Sequence, residues 1–503
     1  MGAEMRSRLL AALALLWIAS ATASAQVSLT GQVSTSGATQ FANTPPVSPS
    51  FFGMIVGSYT DMPPLVPFGQ FRFWDDGVNW PFLQLSTGNN FNWQPLDNYL
   101  HSLKAQGVND VLYTLGRVPQ WASSNMEDAS CDYAAPGYYG SCDLPSDVDT
   151  SDQTWTYWVA AIANHVNDPG YLQNHAHIKY WEIWNEVYRS HTLSNYIPPN
   201  GNTCCYSFKG TYAELTRLTQ DARCVITGQG SVNGLPCAPI DPAAQIVMPS
   251  SVANTNGALA VAQNFLYCND NPKSACTPGA SAVDIINYHL YVNQEPVETL
   301  LMDYVNGGGG LNGVRPSLQP AELAKPLWSG EDSWGITNNN IGQFKNPDPQ
   351  AAFVARYHMI AWSLGIASEF WYQYDNPNEG TLYSLLQQPP GLTEAGIAYQ
   401  QVYNWMVGRS MTSPCSLTTT TIWNCTLTAP GGYQGLVVWD TSPPCNPTCQ
   451  THPYSVGTQY LQYRDLSGIV TQITGGSVPI GMKPILVENQ QSGMRPESRH
   501  RPQ

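Results

Sequence analysis

Residues 178–186 read Ile-Lys-Tyr-Trp-Glu-Ile-Trp-Asn-Glu. Up to Trp184 this is a short apolar run of β-branched and aromatic side chains, the composition of a strand. It ends on a polar pair, Asn185-Glu186. Runs of the same kind recur at 51–57, 69–74, 110–115, 245–248, 283–291, 326–331 and 369–374. Helix-like stretches follow or separate them at 96–106, 155–166, 212–225, 258–266, 297–305, 351–364 and 394–407. Strands alternating with helices imply parallel βαβ units, and eight such units imply a closed (β/α)8 TIM barrel. An open doubly wound sheet is the alternative; the first strand lacks the Gly-rich phosphate loop that such sheets carry.

Outward from the barrel the pattern changes. Past Gly408 the helices stop, and short alternating segments (435–439, 459–464, 485–487) lie between Gly- and Pro-rich turns. They predict a C-terminal antiparallel β-sandwich over 409–489, with 51–408 as the catalytic barrel and 490–503 as a disordered, basic tail. At the other end, Arg6 and Arg8 precede an apolar run from Leu9 to Ala19, and Ala23-Ser24-Ala25 offers a cleavage site. Residues 1–25 therefore read as an export signal rather than a membrane anchor, which needs about 20 apolar residues. Residues 26–50 read as a Ser/Thr/Pro-rich linker or edge strand. The expected location is secreted or periplasmic, with no membrane contact once the signal is removed.

The formal charge of −15 argues against nucleic acid and anionic membrane surfaces as partners and disfavours a highly anionic polymer as substrate. With 11% charged residues but 16 Trp and 27 Tyr, the chain suits a neutral, hydroxylated ligand. Its 12 cysteines fall as close neighbours: Cys131/Cys142, Cys204/Cys205, Cys224/Cys237, Cys268/Cys276, Cys415/Cys425 and Cys445/Cys449. In an exported chain these read as local disulfides. The rival zinc reading lacks a paired C-x2-C signature. No metal and no cofactor is expected.

In a TIM barrel the reactive groups sit at the C-terminal ends of the strands. The fourth strand delivers Glu186 there. The seventh, Leu327-Trp328-Ser329-Gly330-Glu331-Asp332, delivers Glu331, with Asp332 as its competitor. Cleaving a glycosidic bond needs such a pair, one carboxyl protonated for the leaving oxygen and the other ionised. Arg72, facing away from Phe71 and Phe73, is the cation to keep one ionised, whereas Glu182 reads as an ion pair inside the barrel.

On these residues the chain resembles clan A glycoside hydrolases, and family 39 most closely, from about Phe51 to Glu488. The most specific element is Trp181-Glu182-Ile183-Trp184-Asn185-Glu186. The resemblance implies a retaining double displacement on β-glycosides such as β-xylosides, in an oligo- or polysaccharide. It makes Glu186 the acid/base, Glu331 the nucleophile and Asn185 the ligand of the sugar 2-hydroxyl. It further implies Arg72 beside the nucleophile, His289 and Tyr291 at strand six, and Trp371 as the strand-eight platform. Trp74, Trp121 and Trp334 lie near strand ends as candidate sugar-stacking rings, and Asp375 is a candidate for a sugar hydroxyl. A transglycosylase on the same scaffold and a non-catalytic carbohydrate-binding barrel are the alternatives.

Overall fold

The structure, a computed structural model, describes residues 45–133, 135–194, 205–269, 277–335, 344–384 and 390–490. The expected signal, nearly all of the expected linker, the tail beyond Gln490, Cys204 and Cys276 lie outside them.

The alternating runs fold into a barrel of parallel staves. They are β1 (Phe52–Met54), β2 (Gln70–Phe73), β3 (Asp110–Leu115), β4 (His177–Ile183), β5, β6 (Ile286–His289), β7 (Leu327–Asp332) and β8 (Ser368–Trp371). β5 comes in two pieces, Gln245–Val247 and Ser251–Val252. The first pairs with β4 and the second with β6, so the two pieces close the ring. A bridge between Val247 and Ile285 seals the seam. The interruption falls at Pro249, which has no N–H to give to the ladder.

Helices wrap the outside at Gln94–Ala105, Gln153–Val166, Tyr212–Thr227, Asn256–Tyr267, Val297–Asn306, Pro347–Ser363 and Glu394–Met406. Tyr212–Thr227 shows why they start and stop where they do. Thr211 and Glu214 form a reciprocal capping box, and Gly228, at φ 75°, ends the helix in the left-handed region. Leu215, Leu218, Ala222 and Ile226 fall at helical spacing on its buried face.

Inside the barrel the side chains form layers. The floor is apolar: Ile55, Leu112, Tyr180, Val247, Ile285, Trp328 and Phe370 pack as one cluster. Two residues further along several of the same staves the side chains turn polar, at Thr114, Glu182 and Asn287. β7 reaches this layer through an irregularity in its pairing with β8. Gly330 sits there, and a Cβ on it would stand 2.5 Å from the Asn287 amide.

Beyond the barrel, six strands between Ser410 and Glu488 form one antiparallel sheet, and Thr451–Ser455 pairs with Ser477–Gly481 as a second. Val438, Val478, Ile480, Ile485 and Val487 fill the space between them, giving the sandwich. At its joint to the barrel the Trp439 indole donates to Glu298 at 2.7 Å, a barrel carboxylate that also meets buried Arg356 at 3.3 Å. Val47, at the end of the expected linker, is buried and bridges Val407.

Disulfides join Cys131–Cys142, Cys224–Cys237, Cys415–Cys425 and Cys445–Cys449. Non-reducing titration of denatured protein should accordingly find few reactive thiols. Most of the 12 cysteines reacting would overturn that pairing. Among the described residues, no helix is long and apolar enough to cross a membrane.

Candidate active site

Arg72 is the centre from which the site is built. Fully buried on β2, its guanidinium donates to Glu182 at 2.9 Å, Glu331 at 2.7 Å and the Asn185 side-chain oxygen at 2.6 Å. The planar fork serves partners on three sides, which a lysine ammonium on its single stem could not match. Glu182 is saturated: Thr114 donates to it at 2.6 Å and Asn287 at 3.0 Å. Glu182 is thus the base of a buried network, and Glu331 stands above it at the rim.

The loop after β4 is held in an unusual backbone. Trp184 (φ 71°) and Glu186 (φ 47°) both lie in the left-handed region, which costs a non-glycine residue of order 1 kcal/mol or more. Ser250, just past the break in β5, secures this turn. Its hydroxyl accepts from the Glu186 N–H at 3.0 Å and donates to the Asn185 side chain at 3.3 Å, while its carbonyl accepts from Val187 N–H at 3.1 Å. The Trp184 indole is bound to the Ser207 carbonyl. The strain is offset by these bonds, and the result is a Glu186 side chain returned over the barrel mouth.

From β6, His289 Nδ1 lies 3.1 Å from Glu186 and 3.4 Å from Glu331. Tyr291 donates to the second oxygen of Glu331 at 2.8 Å. One oxygen of each carboxylate and the imidazole nitrogen all lie within 4.8 Å of one another. A divalent cation could bridge such donors, but Arg72 already occupies the cationic position beside Glu331. The other grouping of this kind among the described residues, Asp128, Asp143, Cys131 and Cys142, has its two sulfurs tied in a disulfide and offers no thiolate.

Burial raises the Glu331 carboxyl above its usual range, against the opposing pull of His289 and Arg72. Burial also acts on Glu186, but the His289 hydrogen bond, with Arg189 3.5 Å away, brings it below its usual range. The proton shared by the pair therefore favours Glu331. Glu379, on the loop after β8, is pushed up to about 8 by burial and by the charges of Glu331, Glu186 and Asp75.

Several expected site residues are elsewhere. Trp371 is buried on the helix side of β8, its indole bonded to the Gly380 carbonyl and its ring stacked on His358. Side chains alternate along a strand, and Phe370 belongs to the barrel floor, so Trp371 must point outward. Tyr372 turns inward instead, its ring 6.2 Å from that of Tyr291. Trp334 is also buried, against Phe353 and Trp371, and so cannot face a sugar. Trp121 keeps some exposure, but its ring meets Trp80 and its indole binds Gln84. Trp74 lies under the Arg117 guanidinium. Asp332 faces away from Glu331 toward the outer helices, where burial raises its carboxyl. Asp375 is spent on the backbone N–H groups of Gly57 and Ser58.

The sequence reading missed Ser250, Tyr372, Asp75 and Arg189. Only Tyr372 carried a signal, as the residue alternating with an inward Phe370.

No protein-family model matches the chain, and no curated protein matches it in sequence. Solved structures share its fold. A conserved exported protein from Bacteroides fragilis is 11% identical, with 84% of this chain and 88% of that one covered at a TM-score of 0.56. CelM2, a bifunctional glucanase-xylanase from a metagenome library, is 10% identical, with 89% and 96% covered at 0.53. The endo-beta1,6-glucanase BT3312 is 12% identical, with 90% and 93% covered at 0.50.

Proposed function

We propose that the chain is a retaining glycoside hydrolase acting on β-glycosidic bonds outside the cytoplasm, with Glu331 as nucleophile and Glu186 as acid/base. The observation that carries this reading is that an oxygen of one carboxylate lies within 4.8 Å of an oxygen of the other, at the ends of β4 and β7. Retaining enzymes need about 5–5.5 Å, whereas inverting ones leave room for a water at about 6.5–9.5 Å. Support also comes from the fold shared with a glucanase-xylanase and an endo-glucanase. The disulfides suit an exported chain. The likeness of the β4 motif to family 39 points to β-xylosides first.

Glu331 would attack the anomeric carbon while Glu186 protonates the leaving oxygen. Glu186 would then take a proton from water as it opens the glycosyl ester. Asn185, oriented by Arg72 and Ser250, would bind the 2-hydroxyl. The test is to screen aryl glycosides and polysaccharides and follow the first-formed anomer by NMR. A β-glycoside should yield the β-product first; the α-product would rule out retention.

A pH profile tests the electrostatics. With Glu186 low and Glu331 high, the productive form carries its proton on the less basic partner, and is the minor form of the singly protonated pair. The acid limb of kcat/KM then belongs to Glu186. Arg189→Gln removes a cation 3.5 Å from that carboxylate and raises it. The acid limb should move to higher pH and the maximum should rise. An unmoved acid limb would show that Arg189 does not act on Glu186.

A further inference from the structure

Asp75 lies two residues beyond β2 and is gripped from both sides. Arg117 Nη2 stands 3.1 Å from one carboxylate oxygen, and the Tyr372 hydroxyl donates to the other at 2.9 Å. Arg117 is itself fixed. It adopts φ 54° at the end of β3 and lies on the faces of Trp74 and Tyr133, 4.3 and 5.0 Å from their centroids. Tyr372 meets Tyr291, which donates to Glu331, so two rings separate Asp75 from the nucleophile.

Held by two anchors, the Asp75 carboxylate still reaches solvent. Its side chain is 31% exposed, against 7% for Glu331. Each of its oxygens has a second lone pair to offer. The guanidiniums around the mouth have none of their charge uncommitted: Arg72 pairs with Glu182 and Glu331, Arg117 with Asp75, and Arg189 with Glu186.

We propose that Asp75 determines specificity, accepting hydroxyl hydrogen bonds from the sugar seated against Glu331 and restricting the site to neutral sugars, with uronic acids excluded. The inference rests on the glycosidase reading and narrows it. Glu379 shows how a carboxylate fares at the mouth: burial, with the charges of Glu331, Glu186 and Asp75 added to it, pushes that group up to about 8. A substrate carboxylate would meet the same resistance, since juxtaposed like charges repel.

The experiment uses the full chain, its Asp75→Asn variant and Tyr372→Phe, which frees one anchor but keeps the charge. Binding of xylose, glucose, galactose and glucuronate is read by saturation-transfer NMR. Turnover is read on the p-nitrophenyl β-glycosides of the same four. The wild type should favour a neutral sugar over glucuronate by about 100-fold or more. Asp75→Asn should lose about tenfold or more in neutral-sugar binding and narrow that ratio. Tyr372→Phe should raise KM while keeping the rejection of glucuronate, which guards against a misfolded Asp75→Asn. Asp75 is also one of the charges holding Glu331 up, beside Glu186 and against Arg72 and His289. Its removal should therefore move the alkaline limb of kcat/KM to lower pH. Comparable wild-type use of glucuronate overturns the proposal, as do unchanged sugar binding and an unmoved limb in Asp75→Asn. A wild type that neither binds nor cleaves any of the panel overturns the glycosidase reading itself.

Discussion

Glu331→Ala is expected to abolish turnover of every glycoside, whatever its leaving group, while Glu186→Ala should still release an activated phenol. The difference follows from what each carboxylate touches. Glu331 is fixed from below by Arg72 and from the side by Tyr291, contacts that would hold its oxygen toward carbon in the minor, productive form of the pair. Without it no glycosyl ester forms. Glu186 projects from a strained turn and contacts His289 and Arg189, and in the proposed mechanism it supplies a proton that a good leaving group does not need. Its loss should cost about 10²–10⁴-fold on poor leaving groups and leave the second step slow on all of them. Added azide separates the roles. In Glu186→Ala it should attack the accumulated ester and give the β-azide from a β-glycoside. In Glu331→Ala it should fill the space left by the nucleophile and give the α-azide. NMR of the azide products decides it. The two azides appearing with the variants interchanged would reverse the roles, and wild-type turnover in both would move the chemistry elsewhere.

The barrel was legible because its signals are local. Strand composition and helical spacing both act within a few residues, and each is strong enough to be read alone. The aromatic assignments failed for a reason equally physical. Trp371 and Trp334 were placed by their nearness to strand ends, yet facing is decided by strand phase. Phase on β8 is set by Phe370 filling the floor, which no local signal announces. β7 shows the same limit. Trp328 and Glu331 are three residues apart and both serve the interior, which a regular strand forbids. Only the irregular pairing around Gly330 allows it. Ser250 and Tyr372 reach the site from stretches of chain 64 residues from Glu186 and 297 from Asp75. Contacts of that sequence separation are products of the fold.

Arg72 allows stability and chemistry to be pulled apart. Arg72→Ala leaves two buried carboxylates, Glu182 and Glu331, without their cation. Breaking such a pair typically costs about 3–5 kcal/mol, so the variant should melt well below wild type. Replacing the whole ion pair is a different matter. In Arg72→Met with Glu182→Leu both charges leave the interior together, and much of the lost stability should return. The return should be incomplete, because Thr114 and Asn287 both donate to Glu182 and would be left with unsatisfied buried groups. Activity should not return at all. Arg72 is one of the groups that oppose the effect of burial on Glu331, and without it that carboxyl rises further, so less of it is ionised. The loss of this charge and of the Asn185 anchor should lower kcat/KM by on the order of 10²–10³-fold. Thermal melts and kinetics on the same samples make the comparison. If the double variant recovers both stability and turnover, Arg72 serves only to neutralise Glu182, and the ionisation of Glu331 does not depend on it.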